Sequence, residues 1–189
     1  MALLSSTKGR EIVNKHITLK KVKTGFGHDL CGAFAEFYLD GKKMGYFNDD
    51  GYGGETDIVY DNDIHQKTFE AFLTKNNVAQ IMFENGWDFL KTVSKINLHN
   101  QAEEIINSAI NLIEEEKAEK KVQKACEKGI YYKSGSSYKG IAFKLPLKAV
   151  LLHKGGREFI QQEYDKVKAV LKDGEYIVNK NLEELGIKL

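Results

Sequence analysis

A run of alternating residues that ends in an Asp-Gly pair constrains the fold of this chain more than any other feature. In residues 30–39 one set of side chains is small or apolar, and these alternate with a more mixed set. Such alternation is typical of a β-strand with one buried face. Asp40-Gly41 can adopt the positive φ angles of a two-residue type I′ turn, so residues 44–47 are expected to form the return strand of a hairpin. The predicted inward face carries Ala33, Ala35, Phe37 and Leu39, and the outward face carries Phe34, Glu36 and Tyr38.

Further strands are expected at residues 17–22 and 56–60, before a region of mainly helical pattern. Asp63 is predicted to cap a first helix, and Asn100 to cap a long helix that ends near Lys128. Intervening helices are expected at residues 78–84 and 87–93, and a second strand pair at 130–133 and 141–145. A short helix is predicted to begin at Pro146, and another to carry the apolar stripe that contains Ile160 and Tyr164.

These patterns predict an α+β fold, with an antiparallel N-terminal hairpin sheet, a mainly helical region and a second short strand pair. The length of 189 residues suits a single domain. Its expected parts are the sheet at residues 10–62, the helices at 63–128, and the strand pair with a helix at 129–189.

The long helix carries apolar residues on two nearly opposite sides. At 100° per residue, Ile105, Ile106 and Ala109 cluster on one side, whereas Val122 and Cys126 cluster on the other. Either the helix breaks near residues 114–117, or its second half packs against a different neighbour. We favour a helix that passes between two layers.

Composition places the chain among soluble globular proteins, and we expect it to be cytoplasmic. No stretch approaches the roughly 20 apolar residues of a membrane span, and the first residues lack a signal-peptide core. Cys31 and Cys126 form neither a disulfide framework nor a zinc motif, so both are predicted to be buried thiols. The formal net charge is only +1, yet residues 117–148 hold nine lysines and residues 49–63 hold six acids without a basic residue.

The lysine-rich region is the first candidate binding surface. Lys117, Lys121, Lys124 and Lys128 lie within roughly 60° of one another on a helix. Lysines neutralise phosphates, and aromatic rings stack on unpaired bases, so a nucleic-acid or acidic partner is one interpretation. The alternative is a solvated helix face with tyrosines packed in a hairpin. The residues that follow the lysines in this predicted site are Tyr131, Tyr132, Lys133, Tyr138 and Lys139.

The second candidate is a glycine-rich acidic loop that is expected to dock on a basic partner protein. A merely solvated turn and a metal site are its alternatives, although the spacing of an EF-hand is missing. Its predicted binding residues are Asp49, Asp50, Gly51, Tyr52, Gly53, Gly54 and Glu55.

Known catalytic signatures are not found in the sequence. It lacks a P-loop, a dinucleotide-binding fingerprint, and the common serine, cysteine and zinc hydrolase motifs. His28-Asp29 is a weak candidate acid–base pair. Asp61, Asp63 and His65 are candidate ligands of a metal-dependent enzyme, the least favoured function. We therefore expect no catalytic residues, no metal and no cofactor.

The run GFGHDLCGAFAEFYLDGKKMGYFNDDGYGGE resembles a segment of uncharacterised tailed-phage and prophage proteins with a DGKK hairpin and a DGxGG loop. Cys or Asn often follows the double glycine in those proteins, whereas Glu55 stands there in this chain. The likeness to small phage proteins, which include anti-CRISPR factors, implies a non-enzymatic protein that inhibits a host defence machine, such as an RNA-guided nuclease. Its expected partner is a host protein or ribonucleoprotein, and we do not expect it to bind a membrane. A nucleic-acid-binding accessory protein is the alternative, and the oligomeric state stays open.

Overall fold

The computed structural model describes residues 2–27, 30–53, 56–135 and 137–188, and it divides into two compact units. Unit 1 is Met1–Glu114 and unit 2 is Glu115–Leu189. Unit 1 contains a four-stranded antiparallel sheet with helices, and unit 2 contains a three-stranded sheet with helices. The predicted α+β class, with an N-terminal antiparallel sheet and a second small sheet, is confirmed.

The sheet of unit 1 is a meander in which each strand pairs with the next. Ala33, Ala35, Phe37 and Leu39 are buried, as the alternation predicts. Asp40 and Gly41 have φ angles of 48° and 82°, and Leu39 pairs with Lys42, so the two-residue turn is also confirmed. The strands are β1 (Ile17–Phe26), β2 (Gly32–Leu39), β3 (Lys42–Asp49) and β4 (Asp57–Tyr60).

Helices cover the buried face of this sheet. The Phe37 and Phe69 rings meet edge to face with their centroids 5.2 Å apart, in a core that also contains Met82 and Ile105. The predicted bounds of the helix at Val78–Glu84 are confirmed. The helices of this unit are α1 (Thr7–His16), α2 (Asp63–Lys75), α3 (Val78–Glu84) and the first part of α4 (Leu98–Ala125).

Helix α4 is continuous, and the boundary between the units falls inside it. Ile105 and Ile106 are buried in the core of unit 1. Beyond Glu114 the buried positions change to Val122 and Cys126, within unit 2. Of the two predicted alternatives, the helix therefore takes the one in which its second half packs against a different neighbour.

The sheet of unit 2 has the order β6-β5-β7, and the helices that contain Leu147 and Ile160 pack with Ile130 of this sheet. Ile130, Leu147, Ile160 and Leu182 are fully buried in its core. The short helix predicted to begin at Pro146 begins one residue later, at Leu147, with Pro146 as its N-cap. The remaining elements are β5 (Gly129–Ser134), β6 (Ser137–Ala142), α5 (Leu147–Leu151), α6 (Gly156–Ala169) and β7 (Tyr176–Ile177).

Two predicted helix caps are wrong by a few residues. The Asn62 side chain, not Asp63, accepts a hydrogen bond from the His65 N–H at the start of α2. The Asn97 side chain accepts from the Asn100 N–H at 2.8 Å, so Asn100 lies inside α4. The true caps are Asn62, one residue before Asp63, and Asn97, three residues before Asn100. Each has a side-chain oxygen that can cap a helix, and residue type alone does not decide between two such candidates that lie close together.

Three other local predictions are also wrong. Residues 87–93 form short 3₁₀ turns at Asp88–Leu90 and Val93–Lys95 instead of a helix. The strand expected at 141–145 lies at Ser137–Ala142, because Ser137 already pairs with Ser134, earlier than the run of glycine and serine indicates. Cys31 is exposed, since it precedes β2 and lies outside the strand whose alternation buries Ala33. None of the described helices is both long and apolar enough to span a bilayer.

Candidate functional site

The lysine stripe consists of Lys117, Lys121, Lys124 and Lys128, all of which are exposed. The first three lie on α4, and Lys128 lies in the turn after it. At 100° per residue, Lys117, Lys121 and Lys124 lie on the side of the helix opposite to Val122, which is buried. The stripe therefore faces away from the sheet of its own unit.

Two lysines that lie beside the stripe are paired with carboxylates. Lys120 Nζ lies 3.7 Å from Glu116 Oε2, and Lys180 Nζ lies 3.2 Å from Glu119 Oε1. Within the described residues, no carboxylate oxygen lies within 4.0 Å of the ammonium groups of Lys121, Lys124 and Lys128. These three ammonium groups thus form a solvent-facing positive surface without direct compensation.

The predicted tyrosines and lysines of the hairpin are divided between two faces of the second sheet. Lys133 pairs with Tyr138 on β6, and Tyr132 pairs with Lys139. Since directly paired residues of antiparallel strands share a face and successive residues alternate, these two pairs point to opposite sides. Tyr131 shares the face of Lys133, where its ring lies against Gly140.

A third residue completes the face of Lys133, because Tyr176 on β7 also pairs with Lys133. Tyr138, Lys133 and Tyr176 thus form a row across three strands, which we call the Tyr–Lys–Tyr row. Tyr176 is 55% exposed, and the other two side chains are half-buried. Sequence analysis missed Tyr176, because nothing local to β7 indicates that it pairs with β5 and not with another strand.

The row opens onto a cleft of about 280 Å³ between the second half of α4 and the sheet. Gln123 Nε2 donates to the Val178 carbonyl oxygen at 3.0 Å and so holds the helix against the residue that follows β7. The ion pair between Lys180 and Glu119 lies at the wall of this cleft. Sequence analysis also missed Lys180, because its position beside the row depends on the ion pair with Glu119, which is distant in sequence.

The opposite face, which carries Tyr132 and Lys139, has a different electrostatic environment. Tyr132 packs against the apolar core of unit 2. Nearby, the Glu175 carboxylate accepts hydrogen bonds from Ser134 Oγ at 2.6 Å and from the Lys172 N–H at 3.0 Å. These hydrogen bonds, with the positive charge of Lys139, lower the pKa of Glu175. The Lys139 ammonium group therefore lies near enough to the Glu175 carboxylate to lower its pKa.

The acidic loop begins at the end of β3, and two of its carboxylates accept hydrogen bonds from backbone N–H groups of the same loop. Asp49 Oδ1 accepts from the Gly51 N–H at 2.8 Å, and Asp50 Oδ1 accepts from the Tyr52 N–H at 2.9 Å. Gly51 and Gly53 have φ angles of 73° and 77°, which suit glycine. Tyr52 is 72% exposed, so the loop presents a ring to solvent. Gly54 and Glu55 of the predicted loop lie outside the described residues, as do His28 and Asp29.

Asp61, Asp63 and His65 are not assembled into a metal site. Asp61 Oδ1 lies 3.8 Å from Lys43 Nζ, and Asp63 begins α2. His65 Nδ1 is buried without a hydrogen-bond partner in the described part of the chain. No cluster of three or more His, Cys, Asp or Glu side chains able to hold a metal ion occurs among the residues that the structure describes.

Comparison of the chain with protein-family models, with curated proteins and with solved structures gave no match. Its candidate surfaces are therefore interpreted from their own geometry and charge.

Proposed function

We propose that this chain is a non-enzymatic binding protein, of phage or mobile-element type, that inhibits a host defence machine such as an RNA-guided nuclease. Its lysine stripe meets the phosphates or an acidic patch of a host ribonucleoprotein. The acidic loop, from Asp49 to Glu55, meets a basic surface of the same partner. Complementary charge of this kind mainly sets the rate and the orientation of association.

The observation that carries the proposal is the absence of carboxylates within 4.0 Å of the ammonium groups of Lys121, Lys124 and Lys128, among the described residues. Like charges at helical spacings of three and four residues cost a few tenths of a kcal/mol per pair. Helix stability therefore gives no reason for the stripe, whereas a polyanionic partner does.

The counter-defence role is supported by the resemblance of about residues 25–57 to phage and prophage proteins. It is tested in cells that carry an RNA-guided nuclease directed at a resident plasmid. Expression of the wild-type chain is expected to preserve the plasmid. The triple variant Lys121→Glu, Lys124→Glu, Lys128→Glu is expected to lose this protection.

A matched control reverses the same number of charges elsewhere. Lys15, Lys67 and Lys75 are exposed lysines of unit 1, and their replacement by Glu changes the net charge equally. Protection that survives in the stripe variant, or that is lost equally in the control, would contradict the proposal.

The Tyr–Lys–Tyr row favours a second candidate, a nucleic-acid-binding accessory protein with no protein target. The two functions differ in what co-purifies with the tagged chain. Under the first, a defined host protein stays bound after RNase and DNase treatment. Under the second, nuclease treatment removes every partner.

A further inference from the structure

The Tyr–Lys–Tyr row carries an inference that goes beyond the lysine stripe. We propose that the row binds two consecutive unpaired nucleotides, with one base on Tyr138, one base on Tyr176 and the linking phosphate on Lys133. The site lies wholly within unit 2 and does not depend on the stripe, which faces away from this sheet.

The spacing of the row fits two bases rather than one. Lys133 pairs directly with Tyr138 on one side and with Tyr176 on the other. Neighbouring strands lie about 4.8 Å apart, so the two rings project from strands about 10 Å apart. That separation is too wide to sandwich a single base. It allows each ring to stack on its own base, as aromatic side chains on open sheets do with single-stranded RNA.

Among the residues that the structure describes, no other aromatic group contacts the two rings of the row. In the described residues, neither Tyr138 nor Tyr176 stacks on another ring or lies under an ammonium group. By contrast, Tyr164 lies beneath Lys168, with Nζ 5.6 Å from the ring centroid. Half-exposed rings without such partners are suited to stacking on a base, which offers a π face whatever its sequence.

The charge beside the row matches one phosphodiester. Lys180 and Glu119 neutralise each other at 3.2 Å. No carboxylate oxygen lies within 4.0 Å of Lys133 Nζ in the described parts of the chain. The cleft therefore keeps a single positive charge, placed between the two rings. This net positive charge argues against a cationic ligand such as an ammonium group.

The size of the cleft indicates that single strands, and not duplexes, can bind there. At about 280 Å³, it is close to the lower end of the roughly 300–1,000 Å³ of small-molecule sites. It can admit an unstacked base but not a base-paired helix, whose bases are already stacked on one another. The inferred ligand is therefore an unpaired segment of RNA or DNA.

Fluorescence anisotropy with fluorescein-labelled hexamers of riboadenylate and deoxyadenylate tests the inference on the full chain, with a hairpin duplex of equal charge as the comparison. Tyr138→Ala and Tyr176→Ala are each expected to weaken single-strand binding by about fivefold or more. Tyr138→Phe and Tyr176→Phe, which keep the ring, should bind within about twofold of the wild type. Leu152→Ala, which removes an exposed apolar side chain from the same unit, is the matched control.

Two results would overturn the inference. One is an alanine variant of either tyrosine that remains folded and binds the hexamers as tightly as the wild type. The other is a duplex that binds as tightly as the hexamers and with the same loss in the alanine variants. Tyr176 is more than half exposed, so its variant keeps the test valid even if Tyr138→Ala unfolds.

Comparison of the RNA and DNA hexamers shows whether the row prefers unpaired RNA or unpaired DNA, since a contact to the 2′-hydroxyl would give RNA the higher affinity. The stripe variant of the previous section separates this site from the proposed function. If that variant keeps plasmid protection while the tyrosine variants lose hexamer binding, the row stands and the stripe proposal fails. If the tyrosine variants bind the hexamers as the wild type does while the stripe variant loses plasmid protection, the stripe proposal stands and the row inference fails.

Discussion

The side chain of Asn179 is hydrogen-bonded to the backbone of Gly129, with Nδ2 2.8 Å from the carbonyl oxygen. The same amide accepts from the Tyr131 N–H at 2.7 Å through Oδ1. Asn179 is only 7% exposed, so it satisfies backbone groups that have little access to water. One amide thus joins the second residue after β7 to the start of β5, and it thereby supports the strand pairing that brings Tyr176 beside Lys133.

We expect Asn179→Asp to destabilise unit 2 by about 2–3 kcal/mol. A carboxylate has no hydrogen to donate to the Gly129 carbonyl, and its charge would be buried against that oxygen. Hydrogen exchange at single amides measures the effect. The amides of β5 should lose protection, while those of β2 in unit 1 should keep it.

Asn181→Ala is the control for this substitution, because Asn181 also donates to a nearby carbonyl, that of Cys126 at 3.1 Å, but is less buried. Its effect should be smaller. Equal protection of β5 in Asn179→Asp and the wild type would mean that the amide does not hold the two strands together.

The second prediction concerns the buried carboxyl of Glu104, which accepts a hydrogen bond from the Leu3 N–H at 3.1 Å. Burial raises the pKa of Glu104 above its ordinary value of 4.5, and hydrogen bonds from Leu3 and Ala2 oppose this rise. The folded state therefore holds the proton more tightly than the unfolded state does. As the pH rises from 4.5 through the folded-state pKa, this group lowers the free energy of unfolding.

Glu104→Gln keeps an oxygen that can accept from Leu3 but removes the titration. Its free energy of unfolding in urea should exceed that of the wild type at pH 7, and the two should converge towards pH 4.5. Glu104→Ala, which also removes the acceptor, separates the hydrogen bond from the charge. If the difference between the wild type and the Gln variant does not change with pH, burial does not control this carboxyl.

The third prediction distinguishes the two thiols. Burial raises the pKa of Cys126 to about 11, whereas Cys31 is exposed. Since the thiolate is the reactive form, Cys126 should be inert in the native state at pH 8. Ellman's reagent is expected to titrate one thiol in the native wild type, two in urea, and none in native Cys31→Ser. Rapid reaction of the native Cys31→Ser variant would show that Cys126 is accessible.

Those elements whose signals are local could be predicted from the sequence. The Asp40-Gly41 turn needs only two residues with positive φ, and the alternation after residue 32 sets the buried face of β2 without reference to the rest of the chain. Helix α1 (Thr7–His16) was not predicted from the sequence, and its Gly9 has a low intrinsic helix propensity. In the fold, a Cβ at this position would overlap the Leu3 carbonyl oxygen, so the close approach of Leu3 accounts for the glycine.

The candidate site could be predicted only in part, for a related reason. Helical spacing alone places Lys121 and Lys124 on one exposed face. The division of Tyr132 and Lys133 between two faces follows from strand alternation, but the partner of Lys133 on β7 lies 43 residues away, at Tyr176. Pairing over such distances depends on the whole fold of unit 2 and has no signature in the neighbouring residues.

The last prediction concerns the energetic role of the lysine stripe. Replacing Lys121 and Lys124 by Ala removes exposed charges that have no carboxylate within 4.0 Å in the described residues. We expect the free energy of unfolding to change by no more than about 0.5 kcal/mol, because exposed positions away from caps and cores contribute little.

The affinity of the same variant for a polyanion should change much more than its stability. If both ammonium groups contact phosphates of a single strand, the slope of the logarithm of the affinity against the logarithm of salt concentration falls in magnitude by about 0.7 for each lysine removed. Anisotropy titrations between about 50 and 200 mM salt measure this slope. The variant Lys15→Ala, Lys67→Ala is the control, since it removes two exposed lysines of unit 1. An unchanged slope in the stripe variant, or an equal change in the control, would leave the stripe without a role in binding.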